Sequence, residues 1–394
     1  MKITAVRYLK VQGVMEYPGA FWEERLVRPM DIYPEHHSEP FLLRSSSDGR
    51  YPIEGVFLYI ETDSGPTGSV GPIGVDQAYV IATELAPLLI GHDPLATERI
   101  WDRLYRSLVH GRQGVAMMAL SLVDCALWDL KAKWAGVPLY KLLGGPTRDA
   151  IPTYASVLGY SVQPERAAER SVQLVKQGYR ALKWFFRYGP ADGAEGMAKN
   201  VAFVRAVRQA VGPDVDIMLD AWMSWDVHYT LEMAHRLEEF RPRWLEEVLF
   251  PDQIDRLAEI RSKTTIPIAT GEHEYTRWGI KRLLDAHAAD VLQPDVCWAG
   301  GYSEMQKICA LASAYSVPVI PHGDLVHATL HVVASQPPGT CPLLEYLLKW
   351  GAHNQWFLTH PVSIANGMTA LPSQPGIGMD LDEAKIEKRQ DLMF

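Results

Sequence analysis

The chain has 394 residues, enough for two or three domains or for one large barrel with an appendage, and enough to bury a sizeable core. Its 47% apolar, 22% charged and 10% aromatic content excludes a disordered chain, a collagen-like repeat and a coiled coil. A formal net charge of −9 leaves no electrostatic footprint for nucleic acid or anionic membranes, so the expected partner is a small molecule. The four cysteines (Cys125, Cys297, Cys309, Cys341) form no CxxC pair, which argues for buried, reduced thiols and against a disulfide framework or a zinc site. No signal-like h-region opens the chain and no stretch reaches about 18 uninterrupted apolar residues, so a soluble, cytoplasmic protein is expected.

In chain order, residues 3–11 and 55–63 read as strands, because β-branched and aromatic residues alternate with polar ones and Asp63-Ser64-Gly65-Pro66 makes a turn. Between them, residues 22–44 have no period and are rich in Pro, Glu, His and Arg. A loop of that length is a binding lid or a solvated excursion. Residues 76–134 take helical spacing, with Asp124 and Asp129 interrupting an apolar run, and the Gly- and Pro-containing stretch 136–146 marks a boundary. Beyond residue 150, eight short β-rich runs recur, at 151–156, 180–185, 216–220, 243–246, 266–272, 290–295, 317–322 and 343–345. Most are followed by a helical stretch, and that alternation predicts parallel βαβ units closing into a (β/α)₈ barrel.

The runs end on charged residues. Lys183 lies near the end of the second, and Asp220, Glu246, Glu272, Asp295, His322 and Glu345 end the later ones, spaced 23 to 27 residues apart, about one βα repeat. Carboxyl ends of barrel strands point into the mouth where such folds place their chemistry. Asp220, Glu246 and Glu272 come from three adjacent strands, and three crowded carboxylates stay ionised only beside a cation. All-oxygen ligation favours Mg²⁺. One such acid alone reads more readily as a strand-end cap or an ion pair, three at this spacing do not, and Glu247 would exchange with Glu246 on a one-residue register slip. Asp295 and His322 end neighbouring strands, so the carboxylate is placed to hold one imidazole nitrogen and leave the other as a general base. Lys183 is a candidate for neutralising a substrate carboxylate or the acidic ligands, against the plainer reading of a snorkelling surface lysine. His327 and His331 lack the glutamate of a zincin and read as a helix face. Histidines 36 and 37 in the lid are either substrate contacts or solvated. Trp184, Trp222, Trp225 and Trp298 are either pocket wall or core.

The chain resembles the mandelate racemase subgroup of the enolase superfamily, and within it most closely the L-rhamnonate dehydratases. The resemblance rests on Leu219-Asp220-Ala221-Trp222, Trp244-Leu245-Glu246-Glu247, Gly271-Glu272-His273, Gln293-Pro294-Asp295, Pro321-His322-Gly323 and Pro375-Gly376-Ile377-Gly378. It implies a modified (β/α)₈ TIM barrel over residues 136–360. It also implies an α+β capping domain over residues 1–135, joined by a returning segment, 361–394. Asp220, Glu246 and Glu272 then match Mg²⁺ ligands, Asp295 and His322 a catalytic dyad, Glu345 a substrate-binding acid, and His273 a histidine near the site. The lid that contains Trp22 and Arg44 matches a specificity loop whose residues contact substrate. Racemases of this family carry Lys-x-Lys on the second strand, whereas Lys183-Trp184-Phe185 offers only the first lysine, leaving one base and so a dehydration. The expected activity is removal of water from an aldonic acid, as in L-rhamnonate dehydratases, with a dehydratase of another aldonic or aldaric acid, an epimerase or cycloisomerase, or a silent binding protein as alternatives. A homo-oligomer, octameric by resemblance, is expected.

Overall fold

The computed structural model describes residues 1–36 and 49–394. The amino-terminal part is built on strands β1 (Ile3–Glu16), β2 (Arg50–Thr62) and β3 (Gly68–Ile73), paired antiparallel with Val11 opposite Gly55 and Leu58 opposite Val70. The region read as one helical stretch divides into Val75–Val80, Thr97–Ser107 and Val115–Ala135. Gly91 (φ +80°) and Gly114 (φ +65°) supply left-handed turns at the breaks, and Pro94 removes a helical donor. Helix Val115–Ala135 is buried almost all round, and its two acids are structural. Asp124 accepts from the Ser303 amide (2.9 Å) and hydroxyl (2.6 Å), and Asp129 accepts from the amides of Ser69 (2.8 Å) and Ile377 (2.7 Å). Among the described residues no helix is long and apolar enough to cross a membrane.

The barrel runs β4 (Ala150–Ser156), β5 (Ala181–Phe185), β6 (Asp216–Asp220), β7 (Trp244–Glu246), β8 (Ile268–Thr270) and β9 (Val291–Leu292), all parallel neighbours. The seventh position is a single bridge, Leu292 to Val319, and β10 (Leu344–Leu347) pairs with β4 in parallel. Helices alternate with them, among them Pro164–Lys176, Gly193–Val211, Gly301–Ala314 and Val326–Ser335. Several ladders are shorter than the β-rich runs in the sequence. Gly271 (φ +120°) ends one, and Pro294, Pro318 and Pro321 offer no donor to continue the others. Glu272, Asp295 and His322 therefore sit on loops just past the strands instead of closing them.

The remaining chain serves both parts. The hairpin β11 (Ile364–Ala365) and β12 (Met368–Ala370) adds antiparallel to β4, and β13 (Lys388–Leu392) crosses back to pair with β1, Tyr8 opposite Leu392.

Candidate active site

The barrel interior explains which side chains reach the site. Tyr154, Ala181, Met218, Trp244, Ala269, Val291 and Ile320 pack together, with Leu343 against them, one from each strand position. Side chains return to the same face of a strand every second residue. Two steps on, the eight positions are therefore Ser156, Lys183, Asp220, Glu246, Gly271, Gln293, His322 and Glu345. An apolar layer thus supports a polar one at the carboxyl-terminal mouth, and five of the side chains in it, Lys183, Asp220, Glu246, His322 and Glu345, are ionisable groups that the sequence had singled out.

Lys183 is buried, not snorkelling. Its Nζ is 3.4 Å from Asp220 Oδ2 and 2.8 Å from Glu345 Oε1, and it is also bonded to Glu246 Oε1. Burial alone would lower this ammonium, but Glu246, Glu345 and Asp220 outweigh it and raise its pKa well above the usual lysine value. Burial and the neighbouring Glu246 push the Asp220 carboxyl well up, with Lys183 opposing. Burial also works against the Glu345 carboxylate, but Lys183 and His322 outweigh it and hold its pKa down. Glu246 is fixed from its other side by the Trp244 indole, whose Nε1 donates to Oε2 at 2.8 Å. Glu247, in a left-handed conformation (φ +46°), turns away and accepts from the Gly271 amide (2.9 Å) and the Thr270 hydroxyl (2.5 Å).

His322 faces two acids at once. Nδ1 is 2.9 Å from Asp295 Oδ2, and Nε2 is 3.7 Å from Glu272 Oε2. Burial disfavours the imidazolium, yet Glu272, the Asp295 hydrogen bond and Glu345 overcome it and raise His322 well above an ordinary histidine. Burial raises the Glu272 carboxyl, opposed by His322 and His273. His273 pairs with Glu247 (3.2 Å) and lies 3.4 Å from Glu272. Burial would lower it, and Glu247 and Glu272 raise it instead. The rings of Trp222, His273, Trp298 and His322 follow one another at 4.9 to 6.4 Å between centroids.

These groups open on one cavity of about 510 Å³. Lys183, Asp220, Glu272 and His322 form its floor together with Asp324, and Phe185, Trp222 and Trp298 stand beside them. Trp22, Arg25 and Arg28 from the lid roof it. The lid segment is bonded to the barrel mouth through Glu23 N to Gly159 O and Val27 N to Phe186 O, both 2.7 Å. Asp295, Glu246 and Glu345 lie behind the floor, fully buried. Arg44 and His37 lie outside the described residues. Trp184 and Trp225 are core, and so are His327 and His331, which are buried within helix Val326–Ser335.

The expectation that Asp220, Glu246 and Glu272 meet at a single point is only partly matched. Among the described residues no three His, Cys, Asp or Glu side chains are set to hold a metal ion as placed. The Lys183 ammonium is seated against Asp220 and Glu246, and Glu272 leans towards His322. Sequence reasoning also missed two residues. Asp324 lines the cavity, its carboxyl pushed up to about 6 by burial and by Asp295. Gln293 sits in the polar layer, buried, with neither amide atom hydrogen-bonded. Period-two counting from Val291 would have found Gln293. No local signal marks Asp324, which lies in the turn that leads into helix Val326–Ser335.

Two family descriptions match the chain: "Mandelate racemase / muconate lactonizing enzyme, N-terminal domain" over residues 38–144 and "Enolase C-terminal domain-like" over residues 166–385. The L-rhamnonate dehydratase of Saccharopolyspora erythraea is 34% identical, covering 99% of this chain and all of that protein. The crystal structure of rhamnonate dehydratase from Gibberella zeae complexed with Mg is 30% identical with a TM-score of 0.82, covering 98% of this chain and 95% of that one. The 3,6-anhydro-D-galactonate cycloisomerase of Zobellia galactanivorans is 29% identical with a TM-score of 0.76, covering 98% of this chain and 100% of that one. Fold, barrel mouth and these matches agree: the chain belongs to the mandelate racemase and muconate lactonizing enzyme family of the enolase superfamily.

Proposed function

We propose that the protein is a Mg²⁺-dependent acid-sugar dehydratase that converts an aldonic acid into a 2-keto-3-deoxy acid. The observation that carries this reading is the cavity floor, where an imidazole backed by Asp295 stands beside acids from neighbouring strands, while β5 lines the same cavity with Lys183 and Phe185 and offers no second lysine.

The donor set fits the metal. Asp220, Glu246, Glu272, Asp295 and Glu345 gather around one ammonium and one imidazole, an excess of buried negative charge that a divalent cation would reduce. Asp220, Glu246 and Glu272 are the residues that would hold the ion through oxygen alone, as Mg²⁺ prefers. When bound, it supplies Lewis-acid stabilisation of charge growing on the substrate carboxylate. The Mg complex of the Gibberella zeae relative supports the choice of metal.

The chain's own groups do the rest. Asp295 holds Nδ1 of His322 and so sets which tautomer the ring adopts, leaving Nε2 to take the proton from C2 of the acid. Charge then develops on the carboxylate, where Lys183, facing the cavity, contributes fixed positive charge that matters more in the transition state than in the ground state. The imidazolium returns its proton to the departing 3-hydroxyl, which leaves as water, and the enol tautomerises to the 2-keto-3-deoxy product. Phe185 accepts no proton, so proton removal and hydroxyl loss share one face of the substrate. Trp22, Leu26, Leu158, Leu347 and Trp350 make the far wall apolar. A sugar acid ending in a methyl group, such as L-rhamnonate, places that methyl against this wall, whereas a terminal hydroxymethyl would lose its hydration there.

The test is a screen of aldonic acids with Mg²⁺ for 2-keto acid production. His322→Asn is expected to lose about 10²- to 10⁴-fold in kcat while retaining Mg²⁺ binding by calorimetry. An equally active variant removes His322 from the mechanism. Incubation in D₂O separates the rival within the family, because deuterium appearing at C2 without loss of water indicates an epimerase.

A further inference from the structure

We infer that Lys349 is a positioning residue that clamps the lid segment 20–27 to the barrel and thereby sets the aromatic wall facing the far end of the substrate. The inference rests on the dehydratase reading only in naming what that wall receives.

Lys349 is the second residue of helix Leu348–Asn354, which follows β10 directly, and its side chain has no solvent exposure. A buried ammonium is tolerated only where donors meet acceptors. Here Nζ donates to Gly159 O (2.9 Å), lies 3.3 Å from Glu23 Oε1 and 3.4 Å from Ala20 O, and rests 4.0 Å from the centre of the Tyr160 ring. Burial pulls its pKa down to about 8, with the Glu23 carboxylate opposing. Lys349 and its partners belong to three segments distant in sequence: the helix after β10, the lid and the loop after β4.

Those same segments each contribute a cavity wall residue: Trp22 from the lid, Leu158 from the loop and Trp350 from the helix. Trp22 and Trp350 pack at 5.9 Å between centroids. Trp22 also lies so close over Gly159 (φ +81°) that an added Cβ would fall 2.6 Å from its ring. Glu23 is held twice more, its amide on Gly159 O (2.7 Å) and its second oxygen by the Ser161 amide (3.3 Å). Lys349 does not line the cavity and makes no contact with the Lys183 or His322 clusters. Its reach is through Trp22 and Trp350, so it bears on how substrate is held and not on proton transfer.

Lys349→Met keeps the chain length and removes the donors. The expected result is a KM for the preferred aldonate raised about tenfold with kcat within about twofold, since misplacement of binding groups is felt first in binding. Backbone amides of residues 20–27 are expected to exchange hydrogen about tenfold faster, as local opening becomes easier. Trp22→Ala is expected to raise KM similarly. The double variant should rise no further, because two changes acting through one contact are not additive. A folded Lys349→Met protein with unchanged KM and unchanged exchange in segment 20–27 overturns the clamp, as does full additivity with Trp22→Ala. If Lys349→Met does not fold, Glu23→Gln replaces it, and an unaltered KM and exchange rate there overturn the clamp equally. Wild-type protein that dehydrates no acid sugar sinks the dehydratase reading, while the exchange measurement still decides the clamp.

Discussion

Glu246 is held by two donors of opposite character, the Lys183 ammonium on one oxygen and the Trp244 indole on the other (2.8 Å). The indole is neutral and fixed by packing in the barrel interior, so its contribution is orientation. Groups that orient a ligand through its other oxygen typically alter metal affinity by 10- to 100-fold. Trp244→Phe keeps the packed ring and loses the N–H, and is expected to weaken Mg²⁺ binding about tenfold in a calorimetric titration. Unchanged affinity means that packing alone orients Glu246. At this scale the sequence was most informative for residues on the interior period. Glu246 and Glu247 were interchangeable by one step of register, and the side on which each lies follows from the Asp220 to Glu246 pairing of β6 and β7. Gln293 was passed over although it lies on the interior period two residues past Val291, whereas Asp324 lies on no strand period at all.

Strand β5 presents Lys183 and Phe185 inward, with the ammonium 5.3 Å from the centre of the Phe185 ring. A base at residue 185 would stand on the side of the cavity away from His322, which is what a two-base racemisation needs and a dehydration does not. Phe185→Lys is therefore expected to introduce C2 deuterium exchange in D₂O at a rate at least about tenfold above wild type, read by proton NMR of recovered substrate. It should also slow dehydration, since a second ammonium beside Lys183 repels it. No exchange above wild type would show that residue 185 does not reach C2. The elements themselves were legible as a β/α alternation, but their ends were not. Glycine in a left-handed conformation and prolines without a donor cut the ladders early, and the functional side chains ride on the loops that follow.

Across the whole molecule, the two acids of helix Val115–Ala135 act as inter-element bolts. Asp129 joins β3 and the tail through Ser69 and Ile377, with Lys133 at 2.8 Å. Asp124 joins the capping helix to helix Gly301–Ala314 through Ser303. Burial pushes the Asp124 carboxyl from 3.8 to about 7, the Ser303 bonds opposing. Between those values the unfolded chain has released this proton and the folded chain keeps it, so stability falls as pH rises towards 7. Going from about pH 5 to about pH 8, urea unfolding is expected to show a loss at least about 1 kcal/mol smaller for Asp124→Asn than for wild type. Equal losses would mean that Asp124 is ionised in the fold at little cost.

Periodicity and spacing by themselves determined the alternating barrel and the identity of Lys183, Asp220, Glu246, His322 and Glu345 at its mouth, because these depend on side-chain direction along a strand, which recurs every two residues whatever the surroundings. Tertiary structure decided what periodicity cannot express: that Lys183 sits among Asp220, Glu246 and Glu345, that Glu272 turns to His322, and that Trp22 and Trp350 close on each other. Those contacts join residues dozens to hundreds of positions apart, and their geometry is set by packing and charge balance in the folded interior.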